Sequence, residues 1–279
     1  TRKKIMKGLK PTLLALFVSG VPALALAGAG FQPLDEASMG NVTGQAGVSI
    51  ELETKINIDR FLYQDEGAFV VDHISIGGAE RTDFFGFNGI GGPSATDTLD
   101  NIRIDIDLLS DGDAAINIVP TNFAAVDFRI STGAWSLLAT DGSNNYTNLM
   151  SYFFAEGLIG RGSIHIDTAS DVMRLRTGFA IETMEFDVPF LALGVRGMQI
   201  TGADYDLTFP SPLDLFAEVD LYIYEGARLS SNVSSLAIDM PSFRADIGID
   251  ELLVGQQSVG SVFVDDLAIM NTRMRVYGH

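Results

Sequence analysis

Strict alternation of apolar and polar residues is the feature that most constrains what this chain can fold into. Over residues 48–59 every second residue is Val, Ile, Leu or Thr, and the residues between them are polar or charged. A β-strand places successive side chains on opposite faces, so a period of two predicts a strand with one apolar and one wet face. This pattern favours an antiparallel sheet over a parallel sheet that is buried on both sides.

The same alternation recurs along the rest of the chain, for example over residues 102–108, 184–188 and 215–223. Many such runs separated by turn residues predict an all-β fold: a many-stranded sandwich, roll or solenoid-like sheet. Residues 146–157 form the one stretch where the pattern permits a short helix between the strands.

The N-terminal 29 residues follow the order of a secretion signal. Basic residues come first, and an almost uninterrupted apolar run over 12–27 ends in small residues. This order predicts a signal peptide over residues 1–29. A membrane-spanning helix needs about 20 apolar residues, whereas this run is shorter and is interrupted by Gly20 and Pro22. No later apolar run is long enough, so we expect no transmembrane helix in the mature chain.

The net negative charge of the chain limits the classes of partner that it can bind. The predicted leader holds five of the 18 Lys and Arg residues and none of the 36 Asp and Glu residues, so the remainder carries a formal charge of about −23. Such a chain repels nucleic acid and anionic lipid, and we expect neither as a partner. The absence of Cys excludes disulfides, thiolate metal sites and a Cys nucleophile.

One acidic turn is a candidate metal site. Asp107, Asp111 and Asp113 surround Gly112, and hard cations such as calcium prefer oxygen ligands at this kind of spacing. The regular Asp positions and the closing Glu of an EF-hand are missing, and a turn between strands favours Asp and Gly by itself. We expect no other cofactor. No arrangement of residues predicts catalysis, so the chain is not expected to be an enzyme.

A short motif lies between the leader and the first strand, over residues 30–47. Residues 34–39 are predicted to form a short helix, which a glycine turn ends; the glycines permit a sharp change of direction. The segment is therefore a candidate cap on the first strand. Its motif residues are Leu34, Asp35, Gly44, Gln45 and Gly47.

This segment, following a signal peptide, resembles the N-terminal signature of the Fil-type pilus-system protein family. Members are exported Gram-negative proteins with a Leu-Asp-acidic segment and a Gly-Gln-x-Gly turn that leads into an alternating strand. The resemblance covers about residues 31–58 of this chain. It implies an envelope or surface location and a pilus or fibre role, and it implies no catalytic residue.

The sequence thus predicts a signal peptide (1–29), a cap motif (30–47) and a β-rich domain (48–279). The expected function is that of an exported, non-enzymatic structural protein of the cell envelope or surface, pilus- or fibre-associated or adhesive. Its expected location is extracytoplasmic, either at the outer-membrane surface of a Gram-negative cell or secreted from it. We expect its partners among further copies of itself or other envelope and fibre proteins. An outer-membrane β-barrel and a secreted hydrolase on a β-scaffold are the alternatives. The first strand either pairs within the chain or adds to a neighbour's sheet.

Overall fold

The computed structural model describes residues 47–122, 124–141, 145–206 and 208–278. Within them, fourteen strands form one antiparallel sheet, and the only helical element is a 3-10 turn at Pro189–Leu191. The predicted all-β, many-stranded fold is confirmed, and the predicted helix at 34–39 lies outside the described residues. The strands are β1 (Val48–Thr54), β2 (Ile56–Gln64), β3 (Ala68–Gly77), β4 (Leu99–Leu108), β5 (Ala114–Pro120), β6 (Val126–Thr132), β7 (Trp135–Leu138), β8 (Tyr146–Met150), β9 (Phe153–Asp167), β10 (Val172–Val188), β11 (Leu193–Thr201), β12 (Ala217–Ala227), β13 (Ser234–Val254) and β14 (Gln257–Val276).

Long strands alternate with pairs of shorter strands that lie end to end. On one side, β9 pairs with β10 along its whole length; on the other it pairs with β6 and then with β5. In the same way, β12 and β11 lie end to end between β10 and β13. At the two edges, β14 pairs with β13, while β1 and β2 pair with β4 and β3. The first strand therefore pairs within the chain.

The helix allowed at residues 146–157 does not form, and that prediction is wrong. Residues 146–150 pair with β7 as strand β8, and β9 begins at Phe153 and pairs with both β6 and β10. Strand β8 pairs on one side and β9 on both sides, whereas an isolated helix of about 12 residues is only marginally stable in water.

The buried core lies on one face of the sheet, under two long connections. Residues 78–98 join β3 to β4, residues 202–216 join β11 to β12, and both cover the middle of β9 and β10. Leu158 of β9 and Ala180 of β10, which pair with each other, contact this cluster. The largest fully buried side chains among the described residues are Phe84, Leu158 and Leu215.

Truncation of this core should therefore destabilise the fold. We expect Leu158→Ala to lower the free energy of unfolding by about 2–5 kcal/mol, because it leaves a cavity in a fully buried site. Leu213→Ala is the matched control: Leu213 is 91% exposed in the same connection as Leu215, and its loss should change stability by less than about 0.5 kcal/mol. Urea denaturation followed by circular dichroism measures both. Equal effects would contradict this placement of the core.

Candidate functional site: an uncovered apolar sheet face

One face of the sheet is apolar from edge to edge. In one half of the sheet, a row of directly paired residues crosses eight strands without a polar side chain. The row consists of Ile56, Ile76, Ile130, Ala155, Met184, Met198, Ile249 and Val262.

The other half of the sheet carries a similar row across seven strands. Along β10, residues 173, 175, 177, 179 and 181 share one face, and Thr177 is the polar member of this set. A register shift between Ile181 and Thr183 then brings Met184 to the same face, so both rows lie on one side of the sheet. We call this surface the apolar face. The second row consists of Leu108, Ala114, Ile166, Met173, Ile223, Ile238 and Met274.

The apolar face is partly open: in its middle Ala155, Ile181 and the β6 residues Val126 and Phe128 are buried, whereas the side chains around them are not. Even on strands paired on both sides, side chains such as Ile164, Leu175 and Met198 are only half-buried. At the edges, Ile56 is 42% exposed and Val262 is 38% exposed. Of the large hydrophobic side chains that are exposed in the described part of the chain, those on the apolar face are Val48, Ile50, Leu52, Ile56, Ile58, Leu108, Leu236, Val262, Val264, Ile269, Met274 and Val276. An exposed apolar area of this size marks an interaction surface.

The opposite face is polar and is tied together by ion pairs between neighbouring strands. Arg174 of β10 makes a two-pronged contact with Asp220 of β12, at 2.9 and 2.7 Å. The Arg174 contact holds the pKa of Asp220 below its usual value. Farther across, Asp239 accepts hydrogen bonds from Arg275 at 2.5 Å and from the Tyr224 hydroxyl at 2.8 Å. We call this surface the polar face.

A part-buried ionic cluster fastens the 78–98 connection to the middle of the polar face. Arg81 of the connection lies 2.9 Å from Glu156 of β9 and 2.6 Å from Glu182 of β10. Arg129 of β6 reaches Glu156 at 3.2 Å and Glu80 at 3.1 Å. Charge-assisted contacts of this kind compensate for the desolvation of the carboxylates.

Asp127 lies deepest beside this cluster. One of its carboxylate oxygens accepts a hydrogen bond from the Ala79 N–H at 2.6 Å. Burial raises the pKa of Asp127 to about 6; the charge of Asp100 also raises it, whereas the Ala79 hydrogen bond and Arg129 oppose the shift. Asp127 therefore titrates within the physiological range of pH.

Sequence reasoning missed this cluster, because its members are separated by tens of residues and none belongs to a motif. One local signal was present. Glu156 is the single charged residue in the apolar run 153–160, and a lone carboxylate in a buried strand requires a partner.

The predicted calcium residues mainly contact protein donors. Asp113 accepts hydrogen bonds from the Thr168 N–H at 2.9 Å and from its hydroxyl at 3.0 Å, which joins two neighbouring turns. Asp111 accepts the Asp113 N–H at 3.1 Å. The described residues contain no group of three or more His, Asp or Glu side chains that could hold a metal ion. Calcium binding by Asp107, Asp111 and Asp113 stays a prediction.

One residue of the predicted cap motif lies against this turn. A Cβ on Gly47 would collide with the Asp107 carboxylate and would lie 2.8 Å from the Ile106 carbonyl oxygen. The close approach of backbone to backbone at the start of β1 therefore requires glycine. The other motif residues, Leu34, Asp35, Gly44 and Gln45, lie outside the described residues.

The acidic residues also gather around one depression on the polar face, with a volume of about 350 Å³. Asp204, Asp206, Asp246 and Asp265 line it. Burial and the neighbouring acids raise the pKa of Asp246, and the Asp266 N–H, which Asp246 accepts at 2.8 Å, opposes that shift. This hydrogen bond links Asp246 of β13 to Asp266 of β14, whose φ angle of 53° marks an irregularity in that strand.

Comparison with protein-family models gives a match to part of the chain. The model of a family of unknown function, DUF6160, matches residues 6–110. No curated protein and no solved structure matches the chain. In the described part of the chain, no helix has the length and apolar character needed to cross a membrane.

Asp127 should make stability depend on pH between about 4 and 6. In this range the unfolded chain loses the Asp127 proton before the folded chain does, so the folded state loses stability as pH rises. We expect Asp127→Asn to be more stable than wild type at pH 7, by on the order of 2–3 kcal/mol. The difference should vanish below about pH 4.

Urea denaturation across this pH range measures the effect. Asp105→Asn is the contrasting control, because the Ser49 hydroxyl lowers the pKa of Asp105; this substitution should reduce stability at neutral pH. A stability difference for Asp127→Asn that does not change with pH would contradict the assignment.

Gly47→Ala should loosen the edge strand β1. The added Cβ forces the Ile106 carbonyl or the Asp107 side chain to move, so we expect faster hydrogen exchange of the β1 amides and little change in β9. Gly67→Ala is the control, since its Cβ would meet its nearest neighbour, the Leu138 carbonyl oxygen, at 3.4 Å. Equal exchange in the two variants would count against a special role for Gly47.

Proposed function

We propose that this protein is an exported, non-enzymatic structural component of the Gram-negative cell envelope or surface, which acts by associating through its sheet. The observation that carries the proposal is the uncovered apolar face. An exported chain with so many exposed aliphatic side chains on one face of its sheet needs a partner to shield them from water.

Two sequence features support the location. Residues 1–29 have the order of a signal peptide, and residues 31–58 resemble the Fil-type pilus-system proteins. The resemblance favours a pilus- or fibre-associated role among structural roles. The DUF6160 match over residues 6–110 overlaps both features and adds no function.

The arrangement of charge also supports a structural role. Ion pairs on the polar face connect adjacent strands, and the ionic cluster around Glu156 fastens a connection to the sheet. These charged groups hold the sheet rigid and present one continuous surface on its other side.

Cell fractionation of the producing organism, with protease treatment of intact cells, tests the location. We expect the protein in the envelope or surface fraction. Leu16→Arg, which interrupts the apolar run of the predicted leader, should retain the protein in the cytoplasm because a charge in that run blocks export. Ser38→Arg, placed after the leader, is the control and should be exported. Wild-type protein in the cytoplasmic fraction would contradict the proposed function.

A further inference from the structure

We infer that a second copy of this chain covers the apolar face, so that two sheets pack face to face with their polar faces outward. The inference rests on the proposed structural function and names the partner that it requires.

The geometry of the sheet favours an identical partner. Sheets twist with a fixed hand, and two sheets of similar twist pack aligned at about −30° and about 10 Å apart. A second copy has the same twist by necessity. A face built from Ile, Val, Leu and Met is also complementary to itself, as a two-fold symmetric interface requires.

The area of the apolar face is sufficient. More than thirty apolar side chains lie on it, in the two rows named above and the rows between and beside them. A partly exposed aliphatic side chain offers roughly 20–50 Å² of apolar area. A stable specific interface buries about 800 Å² on each partner, so about 25 such side chains provide it.

Charge favours this arrangement and opposes others. The chain carries a formal charge of −18, so two copies repel each other wherever their acidic surfaces meet. Face-to-face packing puts the two polar faces about 20 Å apart, which exceeds the Debye length of about 8 Å at physiological salt. The same acidity opposes an anionic lipid surface as the occupant.

The sheet edges are poorer sites for self-association. Along β14, Gly260, Asp266 and Asn271 have φ angles of 118°, 53° and 55°, which interrupt the regular edge that a neighbouring strand would need. At the opposite edge, Lys55 separates β1 from β2. Association through strand edges is therefore less favourable than association through the face.

The chain's own N-terminal segment is too short to replace a second copy. With the predicted leader removed, residues 30–46 supply 17 residues. As a single extended strand they would cover a width of about 10 Å, whereas eight adjacent strands span about 38 Å.

Sedimentation velocity over a dilution series tests the inference, with the full chain purified in the form that a Gram-negative host exports. We expect wild type to form a dimer. The double variant Ile56→Lys with Val262→Lys places charges at both ends of the eight-strand row. It should raise the dissociation constant of the dimer at least about 100-fold. The matched control, Asn57→Lys with Phe263→Lys, adds the same charge one residue along each strand. Both of its substituted side chains lie on the polar face, so the dissociation constant of its dimer should stay within about threefold of that of wild type.

Circular dichroism tests whether both double variants keep the fold. Met184→Lys provides a second disruption at the middle of the row. The inference is overturned if wild type is monomeric throughout, or if both double variants weaken the dimer equally. It is also overturned if larger assemblies form that the face substitutions leave intact. Monomeric protein that floats with phosphatidylcholine vesicles would assign the face to lipid instead. A monomer recovered from the envelope fraction would overturn this inference and leave the proposed function standing.

Discussion

The register between β9 and β10 is the constraint on which the rest of the sheet depends. These two strands form its centre, and every other strand is added to one side or the other of this pair. Thr177 pairs with Gly162 and Phe179 with Ile159, so one extra residue of β9 lies between these pairs. Because of this irregularity, the apolar residues before and after Gly160 reach the same face although they are out of phase in sequence. A slip of one residue would turn the apolar side chains of one strand to the polar face.

The ionic cluster around Glu156 determines which face of the sheet the two long connections cover. Arg81 and Arg129 approach Glu156 from the connection and from β6, and the connections then bury Phe84 and Leu215 over the centre of the polar face. The covered patch is therefore on the side that carries charge, and the connections leave the other side open. The fold places its own small core beneath these loops and keeps the broad apolar face available for a partner.

Alternation alone was sufficient to predict strands and an antiparallel sheet, because side chains at i and i+2 must share a face. It could not predict that β11 and β12 lie end to end between β10 and β13, since strand order depends on pairing between distant segments. The helix considered at 146–157 failed for the same reason: the partners of Phe153 lie in β6 and β10. Candidate sites could be proposed from the sequence only where residues form a local motif, as in the acidic turn around Gly112. The cluster of Arg81, Glu156 and Glu182 could not be proposed in this way, because its members meet only through tertiary contacts.

The central claim is that association buries one face of the sheet and leaves the other exposed to solvent. Solvent access at two adjacent residues tests it most directly. The chain has no Cys, so Leu175→Cys and Arg176→Cys each introduce one thiol, on the apolar and polar faces respectively. Maleimide labelling is followed at rising protein concentration. The account predicts that the thiol at position 175 becomes protected as the protein associates, while the thiol at 176 reacts at the same rate throughout. Equal labelling of both thiols at every concentration would contradict it.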